Sequence, residues 1–148
     1  MARLPDQADR DRLGAELDTS FLCLAGAGAG KTHELVERMV AVVASGLAPV
    51  EAMAAITFTR KAAGELRGRF FLGLRARAAA ATGERGRRLA VAVERIDQCY
   101  IGTIHAFCAA LLRQRPLEAG LSPDFSEVED REEVGMLRRG WDRFVQNR

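Results

Sequence analysis

The amino-acid sequence predicts an α/β protein in which a parallel β-sheet is flanked by helices. Three short apolar runs, at residues 20–25, 53–58 and 99–103, have the length and composition of buried strands. Each run is followed by a segment whose apolar residues recur at helical spacing. Strands that alternate with helices in this way favour a parallel sheet with right-handed connections.

Two helices are predicted around the first strand. Residues 4–17 predict a short helix with Pro5 near its first turn. A longer helix is expected from Lys31 up to Gly46, because apolar residues recur there at helical spacing and glycine commonly ends a helix. The apolar stripe of this second helix comprises Leu35, Met39, Val42 and Val43.

Two more helices are predicted between the second and third strands. Thr59 is expected to cap the first of them, and residues 82–86 are expected to form a turn. The stripe of the capped helix comprises Ala62, Ala63, Leu66, Phe70 and Leu74. The short helix after the turn is marked by Leu89, Val93 and Ile96.

The last third of the sequence predicts two further helices joined by a loop. Residues 105–115 form the first, which must end before Pro116. Asp130 and Glu133 are a capping pair for the second. Its apolar stripe comprises Val134, Leu137, Trp141, Phe144 and Val145.

The composition indicates a globular protein of one domain. The chain has 148 residues, of which 48% are hydrophobic and 28% charged. It contains no apolar run long enough to cross a membrane and no signal peptide, so no membrane partner is expected. Its three cysteines lack metal-ligand spacing, which predicts buried free thiols, Cys108 among them, in a reducing cytoplasm.

Basic residues are concentrated in one part of the chain. The net charge is only +2, yet arginine and lysine clearly outnumber aspartate and glutamate between residues 60 and 95. This stretch fits either a phosphate contact or a solvated helix face. Lys31 and Lys61 are the only lysines in a chain that otherwise uses arginine, and a compact ammonium suits a tight site better than a guanidinium.

The stretch AGAGAGKT at residues 25–32 predicts a phosphate-binding loop. Its small residues allow successive backbone N–H groups to surround an oxyanion, and the positive end of the following helix dipole points at the same place. Lys31 can reach the β- and γ-phosphates, and the Thr32 hydroxyl suits a Mg²⁺ ligand. The candidate residues are Ala25, Gly26, Ala27, Gly28, Ala29, Gly30, Lys31, Thr32 and His33.

Two alternatives compete with the nucleotide interpretation of this loop. A dinucleotide-binding fingerprint is excluded, because counting from Gly26 and Gly28 places Lys31 where the third glycine belongs. A flexible turn of alanine and glycine explains neither the apolar run before the loop nor the helix after it. A nucleoside triphosphate is therefore the expected ligand, although Ala25 stands where the motif usually has glycine.

Three further stretches, taken in order with the loop, resemble the N-terminal part of superfamily 1 DNA helicases of the UvrD/Rep type. They are LPDQADRDRL at 4–13, AITFTRKAAGELRGRF at 55–70 and GTIHAFCAALL at 102–112. With PLEAGLSPDF at 116–125, the chain looks most similar to the RecB/AddA helicase–nuclease branch. The resemblance covers nearly the whole chain and implies a partial RecA-like fold that binds ATP with Mg²⁺.

The resemblance also implies roles for residues outside the loop. Gln7 matches a glutamine that reads the adenine edge, although an ordinary exposed glutamine is the alternative. Two motifs match segments that contact single-stranded DNA or a junction with duplex; their candidate residues are Thr57, Phe58, Thr59, Arg60, Thr103 and His105. Phe58 could instead belong to the core, and His105 could be a helix cap. Relatives usually have Asn or Glu where this chain has Arg60.

The family also contains features that this sequence does not show. Relatives place an Asp-Glu pair after a later apolar strand, and a second motor domain supplies an arginine finger. Residues 1–128 are therefore expected to be the first part of the ATP-binding domain, and 129–148 the start of a truncated helical insertion. This predicts a chain, either a fragment or a truncated reading frame, that binds nucleotide without useful turnover.

The leading functional prediction is the first part of a DNA helicase motor in repair or recombination, with helicase–nuclease subunits as partners. Self-association is expected through the exposed face of the last helix. A stand-alone nucleotide- or DNA-binding module without catalysis is the main alternative. A small phosphate-loop kinase is a third, which leaves GTIHAFC unexplained.

Overall fold

A computed structural model describes residues 5–127 and 130–146. Within them it contains six α-helices and two strands. In chain order these are α1 (Gln7–Ala15), α2 (Lys31–Ser45), β1 (Ala54–Thr57), α3 (Arg60–Ala80), α4 (Gly83–Glu94), β2 (Tyr100–Thr103), α5 (Ile104–Gln114) and α6 (Asp130–Gln146). Short 3₁₀ helices at Val50–Ala52 and Ile96–Gln98 precede the two strands.

The two strands form a parallel pair, which confirms the predicted α/β class. Ala54 is paired with Tyr100, and Thr57 with Thr103. Ala55 and Ile101 are buried, whereas Ile56 is exposed. The pair therefore buries one face, whereas the apolar run at 53–58 predicted a strand buried on both.

The predicted strand at residues 20–25 is wrong. This segment has no strand pairing in the described chain, and Leu22 and Leu24 are 86% and 89% exposed. A strand needs a partner for its backbone N–H and C=O groups, and β1 and β2 pair only with each other. An apolar run predicts a strand only where a partner strand is available.

The core lies between α2, α3 and α4. Phe70, Leu74 and Leu89 are fully buried, and the α3 stripe predicted from the sequence is confirmed from Ala63 to Leu74. On α2 the predicted Met39 and Val43 are buried, but Leu35 is exposed, and Val36 and Val40 complete the buried face in its place. The buried members of the core are Val36, Met39, Val40, Val43, Ala44, Val50, Ala55, Ala63, Leu66, Phe70, Leu74, Leu89, Ala92, Ile96, Cys99 and Ile101.

Two predicted helix ends are confirmed, and one predicted turn is wrong. The Thr59 hydroxyl accepts a hydrogen bond from the Ala62 N–H at 3.1 Å and so caps α3. Gly46 ends α2 with φ of 82°, a conformation that favours glycine. Thr82 instead precedes α4 and residues 83–86 form its first turn, where a Cβ on Gly86 would lie 2.6 Å from a backbone carbonyl oxygen.

The cysteines differ from the prediction. Cys99 is buried and free, but Cys23 and Cys108 are both exposed. Cys23 lies in the unpaired segment 20–25, which leaves it in solvent. Cys108 lies on a solvent-facing position of α5 rather than in the core. Among the described residues no helix is long and apolar enough to span a membrane.

The chain forms two compact units, the first ending at Phe107 and the second beginning at Cys108. The second unit contains α6, whose apolar residues are exposed as predicted. Trp141 and Phe144 have ring centroids 6.0 Å apart on that face. The predicted capping pair, Asp130 and Glu133, lies outside the described side chains. The family-based boundary between residues 128 and 129 stays a prediction.

Candidate functional site

The loop before α2 contains two glycines in the left-handed conformation. Gly28 and Gly30 have φ of 77° and 87°, a region that residues with a Cβ rarely adopt. The Ala29 N–H donates to the Gly26 carbonyl at 3.4 Å, so the loop turns tightly before Gly30 starts the helix. Nothing lies within 4 Å of a Cβ built at Gly26 or Gly28, which leaves that side of the loop open to a ligand.

Lys31 folds back over this loop. Its Nζ donates to the carbonyl oxygens of Ala25 and Gly26, both at 2.7 Å. An ammonium has three donors, so one is left for a ligand. Thr32 and His33 follow on the exposed first turn of α2. The loop residues named from the sequence are thus brought together at one helix N-terminus.

A cavity of about 890 Å³ lies beside the loop. Its volume falls within the roughly 300–1,000 Å³ of small-molecule sites. The cavity is an open cleft bordered by α1, the unpaired segment 20–25, the loop and α2, and it is lined by both charged and apolar side chains. The charged lining residues include Arg10, Lys31, Glu34 and Arg38.

Arg10 of α1 joins this helix to the loop and to α2. Its Nη1 donates to Glu34 Oε1 at 2.6 Å, and its Nη2 donates to Asp6 Oδ2 at 2.7 Å and to the Ala29 carbonyl oxygen at 2.9 Å. The Arg10 guanidinium lowers the pKa of the Asp6 carboxyl by hydrogen bonding to its charged form. Hydrogen bonds to Asp6 and Glu34 likewise raise the pKa of Arg10.

Arg38 of α2 organises the chain between α1 and the loop. Its guanidinium donates to four backbone carbonyl oxygens at distances from 2.6 to 3.1 Å, those of Leu13, Glu16, Leu17 and Thr19. Its Cζ also lies 5.1 Å from the centroid of the Phe21 ring. These contacts fix the end of α1 and the approach to the loop.

Gln7 is placed differently from the loop residues. Its Nε2 donates to Asp11 Oδ1 at 2.8 Å along α1. In the described chain Gln7 is not among the residues that line the cavity. Recognition of adenine by Gln7 stays a prediction. It requires the Gln7 amide to leave Asp11 and form hydrogen bonds with the base instead.

The candidate DNA-contacting residues meet at one edge of the sheet. Thr57 and Thr103 are paired across the carboxyl ends of the parallel strands, where α/β sheets bind ligands. The Thr57 hydroxyl donates to the Thr59 carbonyl at 3.0 Å, and the Thr103 hydroxyl accepts from the Ala106 N–H at 3.3 Å. The two motifs, although some 45 residues apart, therefore form a single surface.

The side chains beside this edge are open to solvent. Phe58 is 94% exposed, which excludes the core alternative for it. Arg60 begins α3 and His105 follows the start of α5, and both are exposed. The cap at α5 is supplied by Thr103, not by His105. Arg60 and Lys61 add positive charge to the positive end of the α3 dipole, which makes this position suited to an anion.

The site as described offers little to a metal ion by itself. Among the described residues no group of three or more His, Cys, Asp or Glu side chains could hold one. The Thr32 hydroxyl is the single ligand that the loop motif supplies, and hard cations such as Mg²⁺ normally keep waters and phosphate oxygens as further ligands. The residues present therefore fit a metal only together with a bound phosphate.

Sequence reasoning missed Arg10 and Arg38. Both lie in stretches already singled out, but helical spacing alone does not tell which arginine faces another element. Arg10 follows Gln7 by about one helical turn, which predicts only that the two residues share a face of α1. Arg38 sits on a face of α2 away from the core, where an exposed charge is the ordinary expectation.

Comparison with known proteins identifies the family of this chain. The family model described as the UvrD/REP helicase N-terminal domain matches residues 7–147. An ATP-dependent helicase/nuclease subunit of Desulforamulus reducens is 37% identical over 123 residues, which cover 82% of this chain and 10% of that protein. The "DNA helicase II" of Haemophilus influenzae is 32% identical over 130 residues, which cover 88% of this chain and 16% of that protein.

A third relative, the "Exonuclease/helicase subunit RexA" of Lactococcus lactis, is 31% identical over 121 residues and 81% of this chain. The chain spans between about a tenth and a sixth of the length of these curated relatives. The family match extends over both the loop and the sheet edge described above. The chain therefore belongs to the UvrD/REP helicase family.

Proposed function

We propose that this chain is the ATP-binding N-terminal segment of an ATP-dependent DNA helicase, with a RecA-like phosphate-loop fold. The observation that carries the proposal is the loop at the N-terminus of α2, in which Gly28 and Gly30 are left-handed and Lys31 stands beside them. Backbone amides, a helix dipole and an ammonium are the three features that bind polyphosphate.

The chain's own groups divide the work of binding. Loop amides between Ala25 and Gly30 bind phosphate oxygens, and Lys31 exchanges its two carbonyl partners for them. The Thr32 hydroxyl is the proposed Mg²⁺ ligand, and Gln7 the proposed contact to adenine. Bound ATP supplies the phosphate anhydride whose hydrolysis drives a helicase.

We further propose that the sheet edge binds single-stranded DNA, alone or at a junction with duplex. Phe58 provides an exposed aromatic face on which a base can stack, and stacking tolerates any sequence. The Thr59, Thr103 and Arg60 side chains lie beside it and can contact phosphates. His105 extends the same surface. The relatives named as helicase/nuclease subunits support DNA repair or recombination, with further subunits of that kind as partners.

The domain division proposed from the family remains part of this interpretation. Residues 1–128 contribute to the ATP-binding domain, and 129–148 begin a helical insertion. The exposed apolar face of α6 is then a surface for further protein, including a second copy of the chain.

By themselves, these 148 residues are proposed to bind nucleotide without turning it over. Within the described part of the chain no carboxylate cluster is available beside Thr32 to complete a metal site. The same observation favours the second candidate function, a non-catalytic binding module. A steady-state ATPase assay with single-stranded DNA distinguishes both of these non-catalytic candidates from a complete motor. ATP turnover that is abolished by Lys31→Ala contradicts the proposal.

Titration of a fluorescent ATP analogue tests nucleotide binding directly. Lys31→Ala is expected to weaken binding about tenfold or more, because it removes a charge-assisted contact to phosphate. Lys61→Ala is the matched control, since Lys61 is the other lysine and lies on α3. Equal affinity of the wild type and both variants contradicts the proposed site.

A further inference from the structure

Arg10 makes contacts that neither the loop motif nor the sheet edge accounts for. One guanidinium bridges the start of α1, the carbonyl of Ala29 within the loop, and Glu34 on α2. Three acceptors from three segments leave the group little freedom, because a planar guanidinium presents its donors in a fixed fork. The Arg10 side chain is only 17% exposed.

The contact with Ala29 determines how the next peptide group faces. The peptide between Ala29 and Gly30 is planar and trans, so its N–H points opposite to its carbonyl. Since the Ala29 carbonyl is directed at Arg10, the Gly30 N–H is directed away from Arg10. Arg10 also packs closely here, because a Cβ on Gly30 would lie 3.2 Å from its Nη1.

A loop with two left-handed glycines has intrinsic freedom to rotate such a peptide. Glycine populates positive and negative φ about equally, so neither Gly28 nor Gly30 holds the intervening peptides by itself. Besides Arg10, the Lys31 ammonium holds the carbonyls of Ala25 and Gly26 at 2.7 Å, and the Ala29 N–H donates to the Gly26 carbonyl at 3.4 Å, which is a long hydrogen bond. Neither of these contacts holds the Ala29 carbonyl, whose bond to Arg10 is 2.9 Å long.

We propose that Arg10 is a positioning residue for the phosphate-binding loop: it holds the Ala29 carbonyl so that the Gly30 N–H is presented to a bound phosphate. Glu34 and Asp6 in turn hold the guanidinium in place. This inference rests on the proposed function, since it concerns how the same loop is prepared for nucleotide. Arg10 acts through the loop backbone and does not itself touch the ligand.

A ligand that has no adenine base distinguishes the proposed role of Arg10 in phosphate binding from a role that acts through Gln7. Arg10→Ala is expected to weaken binding of both ATP and inorganic tripolyphosphate by a similar factor of about ten, the effect of one misplaced hydrogen bond to a charged group. Gln7→Ala is expected to weaken ATP and leave tripolyphosphate unchanged. Isothermal titration calorimetry measures both ligands on the full chain.

Arg12→Ala is the matched control, because Arg12 lies on the same helix and contacts Glu16 and the Phe21 ring rather than the loop. It is expected to leave both affinities unchanged. If Arg10→Ala does not fold, Arg10→Lys replaces it: one ammonium cannot reach all three acceptors, so an affinity between those of the wild type and Lys31→Ala is expected.

A second readout examines the loop in the absence of ligand. In amide NMR spectra of the free protein, Arg10→Ala is expected to shift the Gly30 and Ala29 signals, and Arg12→Ala is not. Unchanged tripolyphosphate affinity in Arg10→Ala, with the wild type still binding, overturns the positioning role alone. A wild type that binds neither ligand overturns the proposed function instead.

Discussion

Gly73 of α3 lies directly against Val40 of α2. A Cβ built at Gly73 would be 3.2 Å from Val40 Cγ2, and a glycine at this point therefore lets the two helices approach closely. A glycine inside a helix costs roughly 0.5–1 kcal/mol relative to alanine, so close packing must offset that loss.

Gly73→Leu is therefore expected to destabilise the protein by about 1–3 kcal/mol, because an added side chain overpacks the interface between α2 and α3. Chemical denaturation measures the free energy of unfolding. Gly68→Leu is the control on the same helix, since nothing lies within 4 Å of a Cβ at Gly68. It is expected to raise stability slightly; equal effects of both substitutions contradict the packing argument.

The helices of the core were predictable because their signals are local. Ala63, Leu66, Phe70 and Leu74 recur at helical spacing, and each is buried in the structure. The error at residues 20–25 has the opposite origin. A strand forms only against a partner, and nothing in an apolar run says where that partner lies in the sequence.

The same distinction between local and tertiary signals applies to the candidate site. The glycine turn and the helix start at 25–32 were predictable because glycine, lysine and threonine at this spacing are a local signal. The contacts of Arg10 and Arg38 were not, because they depend on how α1 is placed against α2. That placement is set by tertiary packing rather than by local sequence.

The cap of α3 gives a second stability prediction. Thr59→Ala is expected to cost about 1 kcal/mol, because it leaves the Ala62 N–H without its hydroxyl acceptor. Thr59→Ser keeps the acceptor and is expected to lose only a fraction of that amount. Urea denaturation of the three proteins measures the difference. A serine variant as unstable as the alanine variant is inconsistent with capping by the hydroxyl.

The ion pair between Glu51 and Arg95 predicts a dependence of stability on pH. Arg95 Nη1 donates to Glu51 Oε1 at 2.8 Å, and this bond lowers the pKa of Glu51. The unfolded value is about 4.3. A lowered folded pKa means that the contribution to stability is complete above the unfolded pKa and is lost as the pH falls through the folded one.

Arg95→Gln is therefore expected to flatten the fall in the denaturation midpoint between about pH 5 and about pH 3. Urea midpoints at several pH values measure it. Arg87→Gln is the control, because it removes a more exposed pair, with Glu84 at 3.3 Å. Parallel curves for the wild type and Arg95→Gln show that the pair does not contribute.

The three thiols are expected to react in two classes. Burial raises the pKa of the Cys99 thiol, and only the thiolate is nucleophilic, so Cys99 is doubly protected from alkylation. Cys23 and Cys108 are exposed. Iodoacetamide followed by intact-mass spectrometry is expected to add two groups rapidly to the native protein and a third only in denaturant. Rapid addition of three groups to the native protein contradicts the placement of Cys99.

Phe58 provides the sharpest test of the DNA-binding edge, because its ring is 94% exposed and contributes little to the core. Stacking of a base on an aromatic ring is worth about 1–3 kcal/mol, so Phe58→Ala is expected to weaken single-stranded DNA binding about tenfold or more. Fluorescence anisotropy with a labelled oligothymidine measures the affinity. The melting temperature should stay close to that of the wild type.

Leu72→Ala is the matched control for this substitution. Leu72 is also a large exposed apolar residue, although it is less exposed than Phe58 (63% against 94%), and it lies on α3 rather than at the carboxyl end of β1. It is expected to leave DNA affinity unchanged. If both variants bind DNA as the wild type does, the edge formed by Thr57 and Thr103 is not where the nucleic acid lies. If only Phe58→Ala binds DNA more weakly, the Phe58 ring is in contact with the DNA.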